Sequence, residues 1–197
     1  DGTLNNDGVI NNDGTLNNTI DGIINNEDTI NNDGIIINND LLENTGIIDN
    51  SGTIDNYGNI FNYNSIINNN DGIIYNTIDG TLNNDGVINN DGTIANDGTL
   101  NNDGVINNDG TLNNTIDGII NNEDTINNDG IIINNDLLEN TGIIDNSGTI
   151  DNYGNIFNYN SIINNNDGII YNSGTIANDG TLNNGGVIHI NDGSIEN

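Results

Sequence analysis

Five aspartates, Asp7, Asp13, Asp85, Asp91 and Asp97, each precede a glycine or its equivalent and recur at six-residue spacing. Carboxylates at a fixed interval can do two things. Stacked in columns, they could hold Ca2+, an oxygen-seeking cation. Standing in turns, each accepts a backbone hydrogen bond and only shapes its corner. The turn reading is the plainer one, and calcium is kept as a candidate cofactor. His189 is the single histidine, and there is no cysteine. A lone imidazole without a base or nucleophile beside it is no active site. No His, Cys and carboxylate cluster has the spacing of a closed metal centre. The chain is therefore read as a non-enzyme.

Composition narrows the partners. The 197 residues carry a formal charge of −30 with no Lys, Arg, Cys, Met, Pro or Trp. Without a basic residue to meet phosphates, nucleic acid is excluded as a partner. No apolar run approaches the length of a membrane span, and no signal peptide is visible. The chain opens in mid-pattern at Asp1 without an initiator Met. The expectation is a part of a longer polypeptide.

The elements that position these residues are hexapeptides. Asp1 to Asn18 reads DGTLNN-DGVINN-DGTLNN. Gly2, Leu4, Asn6, Gly8, Ile10 and Asn12 fall on even numbers, and so do Gly52, Ile54 and Asn56 further on. A two-residue alternation marks a strand with two unlike faces. The even face, glycine, aliphatic and asparagine, is expected to form an inward core ladder. The odd face carries the threonines, all the aromatics and nearly all the acids. Dipeptide insertions at Thr19-Ile20, Asn69-Asn70 and Thr77-Ile78 are each two residues long, so the expectation is that none swaps the faces. Asn64 and Asn160 are expected in glycine positions. Only the end breaks parity, where Gly193 and Ile195 fall on odd numbers.

A meander of hairpins at the Asp-Gly pairs is the rival fold. A turn at Asp7-Gly8 would set Leu4 opposite Asn11 and send Leu4 and Ile10 to opposite faces. Neither face would be apolar. Parallel stacking puts aliphatic on aliphatic and Asn on Asn instead. The sequence thus predicts an all-β fold, a parallel β-solenoid of short strands, since repeats this short must stack to bury anything. Residues 1–197 read as one continuous solenoid containing an internal 96-residue repeat, 1–96 and 97–192. The second copy is identical through Asn172 and diverges after it. Coil size stays open between two and three hexads. With 18 to 20 residues per turn, the rod would be roughly 50 Å long.

The repeat Gly-x-Ile-x-Asn, as in Gly52 to Asn62 (GTIDNYGNIFN), resembles the Asn/Gly-rich repeats of microbial surface proteins, large adhesins and extracellular filaments. That resemblance implies a β-solenoid stalk or fibre, secreted or exposed on the cell surface, with no catalytic residues to carry over.

The odd face also holds large apolar residues: Ile35, Ile37, Leu41, Ile47, Tyr57, Phe61 and Tyr63. They recur 96 positions on as Ile131, Ile133, Leu137, Ile143, Tyr153, Phe157 and Tyr159. An outward contact patch of this kind calls for a partner. The expected function is a structural subunit or segment of an extracellular filament, fibre or adhesin stalk. It would associate with itself end to end and laterally, or touch a surface or carbohydrate. The alternative is a ligand-, calcium- or ice-binding solenoid module. Outward Thr3, Thr15, Thr93, Thr99 and Thr111 favour ice binding, and the absence of Thr-x-Thr pairs speaks against it.

Overall fold

The computed structural model describes residues 2–164 and 167–197. Thirty-one short strands among them wind into a parallel β-solenoid. β1 (Gly2–Asn6), β2 (Val9–Asn12) and β3 (Thr15–Asn18) make the first coil. β4 (Gly22–Asn26) begins the second and lies on β1, with Leu4 against Ile24 and Asn6 against Asn26. Every third strand joins the same sheet. The result is a first sheet of eleven strands, starting at β1, and second and third sheets of ten each. At about 4.8 Å per strand, the first sheet runs about 48 Å along the rod.

A coil is thus three hexads, which resolves the open choice of coil size. Successive coils are 18 residues apart where no insertion intervenes, as from Ile23 to Leu41, and up to 22 apart where insertions fall, as from Asn59 to Thr81. The 96-residue period makes five whole coils. Thr3 of β1 and Thr99 lie five strands apart in the first sheet.

Each coil sends three aliphatic side chains inward, one from each sheet. Ile30, Leu42, Ile88, Leu100, Ile106 and Ile126 are among those fully buried. At the two ends Leu4, Ile10, Leu16, Leu182, Ile188 and Ile195 are only partly covered, since they have a neighbouring coil on one side. Asparagine closes every strand but the last two on the same inward face. Asn96 is typical. Its Oδ1 accepts from Asn76 Nδ2 at 2.7 Å, and its Nδ2 donates to Asn114 Oδ1 at 2.9 Å. The same Nδ2 donates to the carbonyls of Gly98 and Ile119 at 3.1 and 2.9 Å. A buried amide with every group paired has its desolvation offset by the hydrogen bonds it gains, so the copy one coil away is what makes asparagine tolerable here.

The inner ladders have one sense throughout: the earlier coil donates and the later one accepts, as from Asn6 to Asn26, Asn26 to Asn44 and Asn44 to Asn62. Shorter ladders of outward asparagines run the other way. Asn127 donates to Asn107, Asn107 to Asn89 and Asn89 to Asn68. Glycine opens most strands because the corners of adjacent coils touch. A β-carbon on Gly110 would strike the carbonyl oxygen of Gly92 in the coil before.

The structure corrects one expectation about parity. Between Asn64 and Asn70 the faces do swap. Ser65, Ile67 and Asn69 point inward, while Ile66 is 37% exposed. Ser65 fills the glycine position that Asn64 was expected to hold. Its hydroxyl lies 2.7 Å from the Asn44 carbonyl and 2.6 Å from Asn62 Oδ1. In the second copy the same residues keep the expected parity. There Ile162 is buried, Asn164 joins the ladder, and Asn160 stands in the glycine position beneath Gly180.

The reason is where the two spare residues go. An ordinary ladder asparagine reaches the carbonyl two residues on, as Asn96 reaches Gly98. Asn62 reaches Ser65 and Asn69 reaches Gly72, three residues on in both cases. One spare residue has gone before the strand and one after it. Asn164 reaches Gly168, four residues on, so both spare residues follow the strand in the second copy. Its Asn165 and Asn166 lie outside the described residues. Asn64 takes the left-handed backbone conformation, φ 48°, that absorbs the early slip, a conformation asparagine tolerates better than most residues. Near the other end Asp192, φ 63°, does the same before Gly193 and Ile195 resume the pattern in odd phase.

Candidate functional site

The outer faces carry all the chemistry that the ladders do not use. Their layout follows from the coil, and it corrects the expected aspartate columns. Asp7 lies in the turn from the first sheet to the second, and Asp13 in the turn from the second to the third. Asp85, Asp91 and Asp97 are likewise spread over the three corners in turn. Six residues advance the chain by one corner, so these five do not stack as neighbours. The residues that do stack are a coil apart. Asp85, Asp103 and Glu123 share one corner, and Asp91, Asp109 and Asp129 share another. Among the described residues, no group of three or more His, Cys, Asp or Glu side chains is placed to hold a metal ion. The threonines divide in the same way, Thr3 and Thr99 on the first sheet and Thr15, Thr93 and Thr111 on the third.

The apolar residues expected as one contact patch are also distributed. Ile35 and Ile37 lie on the third sheet, Leu41 and Phe61 on the first, and Ile47 on the second. Tyr57 and Tyr63 sit at the corners on either side of the strand Asn59–Asn62. Ile131, Ile133, Leu137, Ile143, Tyr153, Phe157 and Tyr159 repeat this arrangement five coils further on. All fourteen are outward, and Tyr57, Tyr153 and Tyr159 are about half exposed. What the fold does bring together is smaller. The rings of Phe61 and Tyr63 stack with centroids 5.4 Å apart and planes 4° from parallel. Phe157 and Tyr159 pair at 6.5 Å and 25°.

Around these rings lie acceptors that residue spacing alone does not reveal. Glu43 is the cross-strand neighbour of Phe61, and Asn25 is the neighbour of Glu43 on the other side. Asn25 donates to Asn5, but Glu43 stands where a further asparagine would donate back. The Oδ1 of Asn25 is left as a buried oxygen without a partner. In the second copy Glu139 neighbours Phe157 and Asn121 neighbours Glu139. A shallow pocket there is lined by Asn101, Asn121, Asn122, Glu123, Glu139 and Thr141. The Tyr63 hydroxyl is pushed above the usual phenol range by desolvation first, then by the charges of Glu43 and Asp85. Coil-by-coil alignment is the signal that finds these neighbours, and it requires the coil lengths.

The third sheet offers a second outward column. Asp55 lies between Ile37 and Tyr75, and Asp151 between Ile133 and Tyr171. Tyr171 in turn stacks on His189, centroids 5.0 Å apart. Enclosure between apolar neighbours desolvates both carboxylates and raises both above the usual carboxylate value. Their folded pKa exceeds the unfolded one, so the folded chain holds these protons more tightly. Stability should rise as pH falls through the range just above the ordinary carboxylate value, and be lost as pH rises through it. Melting curves from pH 7 to pH 4 should show this gain. Asp55→Asn with Asp151→Asn should raise stability at pH 7 and flatten the curve. An unchanged pH dependence in that double variant would locate the effect elsewhere.

Among the described residues no helix is long and apolar enough to cross a membrane. No curated protein and no solved structure matches the chain. The haemagglutinin repeat family matches residues 1–62, 56–123 and 94–197, so that the matches together span the whole sequence. A structural repeat of short strands, wound into a solenoid with its asparagines in ladders, is the part this chain supplies, and it belongs to the haemagglutinin repeat family.

Proposed function

We propose that the chain is a segment of an extracellular filament or adhesin stalk, and that its work is mechanical. The observation that carries this reading is the continuity of the three sheets together with the five-coil period. The first sheet runs from β1 to the strand Ser194–Glu196. Each 96-residue period advances the rod by about 24 Å and returns the same residues to the same face. A chain lengthened by whole periods grows straight, with no change of face and no new fold to encode. Backbone and asparagine ladders along the axis resist extension together, because neighbouring coils interact as a linear array.

Extracellular exposure suits the composition, since a surface without Lys or Arg gives trypsin-like proteases no site. End-to-end association extends the same ladders. Lateral contact between bare rods is opposed by the −30 charge and needs counter-ions or a partner of opposite sign.

The test is length against repeat number. Proteins carrying two, three and four 96-residue periods should appear in electron micrographs as unbranched rods, each about 24 Å longer than the last. Fibre diffraction of aligned material should give a meridional spacing near 4.8 Å. Compact particles whose dimensions do not scale with repeat number would sink the stalk reading.

A further inference from the structure

We propose that the first sheet carries two copies of a docking site for a basic protein segment, one at Phe61–Tyr63 and one at Phe157–Tyr159. In each, a cationic side chain would set its head among the glutamates and its flat or aliphatic body against the ring pair.

Three observations converge on a cation. The rings are the first. Phe61 and Tyr63 are stacked on the outer surface, and aromatic faces attract guanidinium and ammonium groups. The second is an excess of acceptors beside them. Glu43 adjoins Phe61, and the buried Oδ1 of Asn25 adjoining Glu43 has no donor. Glu43 cannot donate to the Asn25 oxygen, and the chain has no Lys or Arg to set against either group. A guanidinium has five N–H donors and no acceptor, so it is matched to such a site. The third is recurrence of the environment. In the second copy the glutamates Glu123 and Glu139 line a pocket beside the Phe157 coil. Asp179 follows the neighbouring strand at the corner where Asp85 follows its own, although the sequence there has diverged from the first copy.

The spacing defines the partner further. The strands bearing Phe61 and Phe157 are five apart in one sheet, hence about 24 Å. An extended peptide spans that distance in about seven residues. A segment with two basic residues at that interval would engage both sites and gain by bivalency. A second copy of this chain is a poor occupant, because it brings no cation and the same negative charge. The proposal does not depend on the chain being a stalk.

The test uses the whole chain and synthetic peptides. One peptide has two arginines separated by six Gly/Ser residues, a second has one arginine, and a third has two glutamates. Fluorescence anisotropy at low salt should show the two-arginine peptide binding at least about tenfold more tightly than the one-arginine peptide. The two-glutamate peptide should not bind. Phe157→Ala with Tyr159→Ala should reduce the two-arginine affinity to the level of the one-arginine peptide. Glu139→Gln should weaken it by up to about fivefold. These side chains are outward, and circular dichroism would verify that the solenoid persists. Binding that responds to salt but ignores loss of the rings would be unspecific attraction to an acidic rod and would overturn the proposal. So would salt-independent binding of a neutral oligosaccharide at the rings with none of the arginine peptide.

Discussion

Ile106→Asp should cost the rod about 4 kcal/mol or more, and Val105→Asp, one residue away in the same strand, less than about 1 kcal/mol. Ile106 is fully buried between Ile88 and Ile126 of the neighbouring coils. A carboxylate there loses the aliphatic contacts and finds no cation. Val105 points outward between Val87 and Thr125, where a carboxylate stays hydrated. In an array of nearest neighbours the damaged coil also uncouples the two halves, so the melt of Ile106→Asp should broaden or split. The same comparison at Ile10 and Val9 should give a smaller gap, because Ile10 has a covering coil on one side only. Equal losses at 105 and 106 would refute the face assignment.

The sliding strand gives that experiment a second use. In the first copy Ile67→Asp should be costly and Ile66→Asp mild. In the second copy the order reverses, with Ile162→Asp costly and Ile163→Asp mild. The costly pair should lose less than Ile106→Asp. Their spare residues let each strand slide to the register seen in the other copy, exchanging one isoleucine for its neighbour.

Asn96→Asp should be nearly as damaging at pH 7, about 3 kcal/mol or more. Asn96 donates to Asn114, to Gly98 and to Ile119. A carboxylate donates to none of them and faces the Asn114 oxygen directly. Protonation restores one donor, so the pKa of the introduced acid is raised in the folded state. The loss should therefore shrink as pH falls towards 4 and be complete above that raised value. A loss independent of pH would mean that packing, rather than pairing, holds the ladder. Thermal unfolding at pH 4 and pH 7 distinguishes the two.

The strands and their inward face are legible in the hexads because aliphatic and asparagine keep one parity over long stretches. The coil is not, since a hexad states what stacks but not how many corners precede the stack. That is why Asp85 and Asp91 read as neighbours when Asp85 and Asp103 are the pair one coil apart. The register of Asn64 to Asn70 is illegible for a different reason. Ser-Ile-Ile-Asn-Asn offers an inward Ile and Asn in either phase, and the same letters take both. Glu43 and Asn25 are not legible as neighbours of Phe61 because they lie across the sheet from it, 18 and 36 positions away in the chain.

The inner ladders donate in one direction only, from each coil to the next. The rod is therefore a vector. An exposed coil at its leading face offers amide N–H groups, and one at its trailing face offers amide oxygens. Two rods meeting head to tail could continue the first- and second-sheet ladders across the joint, while Ile190, in the place of an asparagine above Asn172, ends the third. Meeting head to head, they would set donor against donor, and tail to tail acceptor against acceptor. Any assembly that grows along this axis inherits the polarity, with unlike ends and every repeated surface feature facing the same way.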